Sequence, residues 1–503
     1  MSTRLILSGG RVIDPGTSFD GIADVHVEHG RIAAVVPATA GTGPEGYGAA
    51  PATDDATVLD VSGLVVGPGF VDLHSHVHSV AGMRLQAMDG VTTALDLESG
   101  LMPIAKAYAD AAAQGRPLHY GFSASWSSAR AAAHAGITPT ADIQASLQLL
   151  ARPDWQRSSS TRELQTWLGL LRSELADGAL GIGVLLGYAP SSDPAEFLGV
   201  GRLAAEAGVP VYTHVREIVE SDPTTPVDGS DEIGIVAAET GAAMHHCHVN
   251  STSRRHVDRV LASLQRHQAA GSRVSVECYP YGAGSTAIGA AFLAPEALHR
   301  WDLTPQDLVL VATGERIQDA RRLAQVRAED PGAPCVVTFL DEQDPHDQEL
   351  LLRSLSYPDA IVASDAMPIT WPDRTWDSHT WPLPEGGLTH PRTAGTFARS
   401  LRRMVLETGL WTWLEAFRRC SYLPARVLDG ATPAARTKGH LAPGADADVV
   451  VLDPGTLTDA ATYLDPVRPS QGVVHLLVGG VPLIRNQHML DALPGRPVRG
   501  APA

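Results

Sequence analysis

His74 and His76 close an apolar run, Gly67-Pro-Gly-Phe-Val-Asp-Leu-His-Ser-His76. Residues two apart on a strand project to one face, so both imidazoles can reach a single cation. Alone, the pair would also suit two exposed histidines at a strand end. Three later runs end in the same manner: Val211-Tyr-Thr-His214, Met244-His-His-Cys-His248 and Ile361-Val-Ala-Ser-Asp365. Imidazole nitrogens and carboxylate oxygens are the ligands of catalytic zinc. A carboxylate beside a metal-activated water can take its proton and deliver it to a leaving group. The five residues therefore point to metal-assisted hydrolysis, with Asp365 as the general base.

Such a set needs a scaffold that brings distant strand ends together. The middle of the chain alternates apolar, β-branched runs with Ala/Leu/Arg-rich stretches. Strands are expected at Gly69–His74, Thr92–Glu98, Tyr120–Ala124, Ala179–Leu185, Val209–His214, Ala243–His248, Val274–Tyr279 and Ala360–Asp365. Helical patterns such as Thr161–Leu175, Pro194–Ala207 and Arg255–Ala269 fall between them. Alternation of this kind calls for a parallel sheet, and eight strands fit an α/β fold of the (β/α)8 TIM-barrel type. Its active sites assemble at the C-terminal ends of different strands, where these ligands fall.

Both chain ends read differently. Short strands are expected at Arg4–Ser8, Arg11–Ile13, Ala23–Glu28, Arg31–Val36 and Thr57–Val61, and again at Asp448–Leu452, Gly472–Val478 and Val481–Ile484. A small β-sandwich domain built from residues 1–65 and 436–503 would then flank a catalytic barrel over 66–435. A long insertion, 291–359, separates the last two barrel strands. Residues 38–55 are rich in Gly, Ala, Pro and Thr and read as a loop, and the tail from Pro494 reads as loose.

Composition narrows the partners. The 503 residues carry a net charge of −18 with no basic cluster, which argues against nucleic acid. No apolar run reaches the roughly 18 residues of a membrane helix, and the first ten residues do not form a signal peptide. A small-molecule substrate and a cytoplasmic location are the expectation, with a homo-oligomer left open. Cys247, Cys278, Cys335 and Cys420 are scattered without a CxxC pair, against a disulfide framework or a cysteine zinc knuckle.

Several longer motifs run through the chain in order: Gly10-Arg-Val-Ile-Asp-Pro15, Asp89-Gly-Val-Thr-Thr93, Thr213-His-Val-Arg216, Tyr279-Pro-Tyr-Gly-Ala-Gly-Ser-Thr286, His390-Pro-Arg-Thr-Ala-Gly-Thr-Phe397, Leu423-Pro-Ala-Arg426 and Lys438-Gly-His-Leu-Ala-Pro-Gly-Ala-Asp-Ala-Asp448. With the HxH run they resemble the amidohydrolase superfamily and, within it, the N-acyl-D-amino-acid deacylases. The resemblance implies that His74, His76, His214 and His248 hold one or two zinc ions and that Asp365 is both ligand and general base. It further implies removal of the acyl group from an N-acyl amino acid by hydroxide generated at zinc.

Two positions depart from the family pattern. Where these deacylases carry a cysteine after the second strand, this chain reads Asp96-Leu-Glu-Ser99. Asp96 and Glu98 share a strand face, Glu98 lies nearer the metal end, and neutral Ser99 is a poor zinc ligand. Glu98 is therefore the expected substitute, in a position to bridge two ions, with Asp96 the alternative. The stretch read as strand four, Ala179–Gly187, has no lysine, and Lys106 falls in a helical stretch; a carboxylated-lysine bridge is excluded. The second departure is Asn250, which stands where the family has a lysine that meets the substrate carboxylate. Arg216, Arg392, Tyr281, Ser285 and Asn250 are the candidates for binding substrate, and Arg suits a carboxylate through its bidentate fork. Bracing of loops is the competing role for both arginines. His246 could line the site or pack behind it. The Trp371–Trp381 stretch could wall an acyl pocket. Hydantoinase-like hydrolysis of cyclic amides, or another C–N hydrolase or deaminase, remains the rival chemistry, and a degenerate, non-catalytic barrel the rival class.

Overall fold

The computed structural model describes residues 4–501 except 40–42, 45, 49–55 and 372–378. Most of the loop read between Ala38 and Asp55, and the centre of the Trp371–Trp381 stretch, lie outside the described residues.

Eight parallel strands form one sheet in chain order: Phe70–Asp72, Val91–Leu101, His119–Ser125, Ile182–Leu185, Val211–His214, Met244–His246, Val274–Cys278 and Ile361–Val362. The first and last meet through Ser364 N, which donates to Asp72 Oδ1 at 3.0 Å, and His76 N, which donates to Ala366 O at 2.8 Å. The sheet thus closes into a (β/α)8 barrel. Helices cover the outside and side chains fill the inside, so Val91–Leu101 and His119–Ser125 are buried along their whole length, their polar residues included. Local signals start and stop the helices as expected. Thr161–Ala176 opens on a capping box between Ser160 and Glu163. Pro194–Ala207 has Asp193 as cap, Pro194 in its first turn, and Gly208 at φ 69° after its end.

Between the seventh and eighth strands the chain makes a long excursion. Ala283–Ala287, Leu308–Leu310 and Pro334–Thr338 form a separate antiparallel sheet. The excursion therefore begins before residue 291, because Ala283–Ala287 is held by Pro334–Thr338. It delivers Phe292 and Trp301, on short 3-10 turns, to the C-terminal mouth of the barrel.

The chain ends build the second layer, nine strands in one mixed sheet around their own apolar cluster, which includes Leu7, Val25, Val66, Val449 and Leu477. The two expected strands Arg4–Ser8 and Arg11–Ile13 are one strand, Leu5–Asp14, with a register shift between Leu7 and Gly10. Gly9, at φ 79°, turns the backbone through a bulge that a residue with a Cβ would resist, so the chain bends without reversing. Val65–Pro68 completes the sheet by pairing with Val449–Leu452 and leads directly into the first barrel strand.

The N-terminal face of the barrel is joined to this domain by buried charge. Asp448 accepts from Lys438 Nζ at 2.7 Å, from His119 Nε2 at 3.0 Å and from Gly479 N at 2.7 Å. The tail is not loose. Val498 N donates to Tyr120 O at 2.7 Å, Gly495 N to Arg116 O and Gly500 N to Gly178 O, while Val498 enters an apolar cluster with Leu95 and Leu180. Backbone pairing and one well-buried valine together outweigh the proline- and glycine-rich composition of this segment.

Candidate metal centre

The C-terminal face gathers six side chains from five strands. His74 and His76 follow the first strand, Glu98 lies on the second, His214 ends the fifth, His248 follows the sixth and Asp365 follows the eighth. His248 (φ 34°) and Asp365 (φ 49°) stand in the left-handed region, strain that persists only where the surroundings impose it.

Glu98 stands at the centre. Its Oε2 is 3.2 Å from His74 Nε2 and 3.7 Å from His76 Nε2, while Oε1 is 3.1 Å from His214 Nδ1 and 2.7 Å from His248 Nε2. One carboxylate thus divides its two oxygens between two pairs of histidines. Asp365 Oδ1 lies 3.5 Å from His74 Nε2 and 3.8 Å from His76 Nε2. Among the described residues, three sets that share His74 keep their ligand atoms within 4.8 Å of one another: His74/His76/Asp365 and His74/Glu98/His248 in the ring, and His74/Cys247/Glu277 behind it.

The hydrogen bonds behind the ring show which nitrogens are available. His74 Nδ1 lies 2.6 Å from Glu277 Oε1, and His76 Nδ1 lies 3.2 Å from Asp96 Oδ1. Ionised carboxylates only accept, so each Nδ1 carries the proton. The two Nε2 lone pairs are then directed at each other across 3.2 Å, an arrangement that a cation relieves. Burial disfavours charge on His74, but Asp365, Glu98 and Glu277 raise its proton affinity well above the ordinary imidazole value. Burial likewise opposes ionisation of Glu98, and His74, His214 and His248 overcome it, holding the carboxyl well below its usual range. The site is a buried region that attracts positive charge, and its nitrogen and oxygen donors fit zinc.

Asp96 is displaced from the ring: its oxygens meet His76 Nδ1 and His78 Nε2, the latter at 3.0 Å. Glu277, absent from the sequence reading, is the other orienting carboxylate. It is buried on the seventh strand between His74 Nδ1 and His245 Nε2, the second contact at 2.9 Å. Its signal in the sequence was a lone acid inside the apolar strand Val274–Cys278.

The pocket beside the ring is walled by Leu147, Leu150, Tyr188, Phe292, Trp301, Val337 and Phe339, with Ser285, Tyr279 and Arg392 nearer the acids. Arg392 Nη2 reaches Asp365 Oδ1 at 2.9 Å, its Nε donates to Asp365 O at 2.6 Å, and its Nη1 is buried without a partner among the described residues. Other expected binding residues are committed elsewhere. Arg216 borders the pocket, but its guanidinium is held by Glu232 at 2.9 and 3.1 Å and by Pro190 O. Asn250 does not line the pocket. Its amide bonds Tyr279 O, Tyr281 O and Tyr279 N and so fixes the turn after the seventh strand. Tyr281 points away, beneath the Arg399 guanidinium and beside His390, because the strand's alternation is lost past Cys278 and Tyr279 takes the pocket position. His246 is buried outside the pocket lining, with Nδ1 3.1 Å from Cys247 O; burial pushes it down to about 3, which keeps it neutral.

A barrel with these donors at its C-terminal mouth and a β-domain at its base is the architecture of metal-dependent hydrolases. The amidohydrolase family model matches residues 57–484, and the chain belongs to that family. It is 30% identical to an N-acyl-D-glutamate deacylase of Alcaligenes xylosoxydans xylosoxydans, over 95% of this chain and 92% of that one. An N-acyl-D-glutamate deacylase of Bordetella bronchiseptica, solved with zinc and a phosphonate mimic of the tetrahedral intermediate, superimposes with a TM-score of 0.71. That pair is 26% identical, with 99% and 100% of the two chains covered. The fold is also that of a D-aminoacylase with a binuclear metal centre, TM-score 0.74, 23% identity and 99% of each chain covered.

Proposed function

We propose that this protein is a zinc-dependent deacylase of N-acyl amino acids, of the D series. The observation that carries the reading is Glu98, whose two oxygens are shared between His74/His76 and His214/His248, so that a carboxylate and four imidazoles converge as a set of donors that would hold zinc. His74, His76, His214, His248, Glu98 and Asp365 are the residues that would hold zinc. When bound, zinc supplies an electrophile for the scissile carbonyl and acidifies a water.

The remaining steps belong to the chain. Arg392 holds Asp365 at two points, pairing its Nη2 with carboxylate Oδ1 and donating from Nε to the backbone carbonyl, which keeps the acid beside the ring. Asp365 takes the proton of the attacking water. The water oxygen bonds to the acyl carbon, the C–N bond breaks, and Asp365 returns the proton to the departing nitrogen. The products are a carboxylate and a free amino acid. Arg392 Nη1, without a hydrogen-bond partner among the described residues, and the Ser285 hydroxyl offer donors to the substrate carboxylate. Glu277 and Asp96 keep the His74 and His76 rings oriented. Among the described residues no helix is long and apolar enough to cross a membrane, and all four cysteines are free and buried. A cytoplasmic location is in keeping with the free thiols.

The test is amine release from N-acetyl-D- and N-acetyl-L-amino acids by the zinc-loaded protein. Release from the D series only is the expected result. Release from cyclic amides alone would move the enzyme to the hydantoinase-like reading, and release from neither would remove the catalytic claim.

A further inference from the structure

Three arginines border the pocket, and each faces a carboxylate: Arg216 with Glu232, Arg392 with Asp365, and Arg254 with Glu217. The first two pairs brace the barrel mouth or serve the acid at its centre. The third stands apart, and its geometry is unfinished.

Glu217 Oε2 accepts both from Arg254 Nη2, at 3.3 Å, and from Trp301 Nε1, at 3.0 Å. Arg254 Nη2 also reaches the Ser221 hydroxyl. Glu217 Oε1 and Arg254 Nε and Nη1 have no partner among the described residues, although both residues are nearly buried. The pair therefore presents a free acceptor and free donors with no net charge between them. Its floor is flat: the Arg254 guanidinium lies 3.9 Å from the centre of the Trp301 ring, Trp301 stacks on Phe292 at 4.6 Å and 9°, and Phe292 runs parallel to His214 at 12°. A column of planes thus leads from a histidine of the metal ring to the ion pair. Arg254 itself is held at φ 51° and ψ −126°, outside the left-handed helical region that His248 occupies and strained for a residue with a side chain. Backbone strain of this kind collects where a side chain is aimed at a ligand.

We infer that Arg254, Glu217 and Trp301 form a subsite for the amino-acid side chain, selecting an uncharged, planar carboxamide over a carboxylate. A carboxamide offers an N–H to Glu217 Oε1 and a C=O to Arg254 while its plane lies along the aromatic column. A carboxylate of the same shape meets no unbalanced cation here and sets its charge against Glu217, which costs far more than a missing contact. An apolar side chain of equal length fills the space but leaves the free donor and acceptor unpaired. The inference rests on the deacylase reading and specifies its substrate.

The experiment compares kcat/KM for amine release from N-acetyl-D-glutamine, N-acetyl-D-glutamate and N-acetyl-D-methionine, using zinc-loaded wild type and Glu217→Gln. Glutamine is expected to exceed both others by at least tenfold in wild type, and the glutamine-to-methionine ratio to fall toward one in the variant. That ratio does not depend on how much of the variant folds. Glutamate equal to or better than glutamine overturns the subsite, as does methionine equal to glutamine, and both leave the deacylase reading standing. Release from none of the three overturns the deacylase reading and the subsite with it.

Discussion

Buried charge collects at both ends of the barrel, and the two collections differ in what they lack. At the N-terminal face, Asp448 lies between Lys438 and His119, and Lys438 also meets Asp446 at 3.1 Å. Every charge there has an opposite charge from the protein itself. At the C-terminal face, Glu98, Asp365, Asp96 and Glu277 converge on His74, His76, His214 and His248, and among the described residues Arg392 is the one permanent cation paired with any of these four acids. The first cluster is complete and fastens two domains. The second is complete only with a cation added. A buried polar cluster is thus read as functional by its unfilled requirement rather than by its degree of burial.

Substitutions can separate the two. Asp365→Asn leaves the histidine ring in place but removes the proton acceptor; amine release is expected to fall about 10²–10⁴-fold, with zinc largely retained. Retention of full activity would remove Asp365 from its role. At the opposite face, Asp448→Asn leaves Lys438 with Asp446 as its one carboxylate and takes the charged acceptor from His119, and unfolding titrations should show a loss of about 1–3 kcal/mol. Activity per folded molecule is expected to be unchanged, because no ring residue touches this cluster. A specific loss of zinc in that variant would contradict the division.

A smaller effect is expected at Glu277. Glu277→Gln can still hold the ring of His74 but no longer enforces the Nδ1–H form, and zinc affinity measured against a competing chelator should fall about 10–100-fold. Asp448 also sets a pH dependence. Although burial opposes its ionisation, His119 and Lys438 hold the carboxyl far below its usual range. Its contribution to stability is therefore present above the ordinary carboxylate titration and is lost as pH falls below it. Melting temperature against pH should lose part of its acid limb in Asp448→Asn.

How much of this was legible in the sequence follows the same division. The eight barrel strands are buried on both faces, so each reads as an apolar run, and a histidine or acid at its end stands out. Strand alternation also explains why Asp96 and Glu98 share a face, and the structure brings Glu98, not Asp96, among the four histidines. What alternation does not reach is chain that has left its strand. Tyr281, expected to meet substrate, is turned away and Tyr279 lines the pocket once the seventh strand ends at Cys278. Asn250 reads as a substrate group because the family it resembles has a carboxylate-binding lysine there, yet its amide is taken up by the backbone of the next loop. Glu217, Arg254 and Trp301 meet only because a loop after the fifth strand, a short helix after the sixth and the late excursion converge in space. No local pattern announces such a meeting. The bulge at Gly9 and the docking of Val498 were missed for the related reason that glycine and proline mark a turn or a loose end equally well.

The central claim is that Glu98 is what makes the C-terminal face a metal centre. Zinc content measured by mass spectrometry on wild type and Glu98→Ala, with amine release assayed on the same samples, tests it most directly. Near-stoichiometric zinc in wild type, reduced in the variant with amine release lost alongside it, is the predicted result. A variant that keeps its full zinc and its activity, or a wild type that takes up no zinc on reconstitution, would contradict the account.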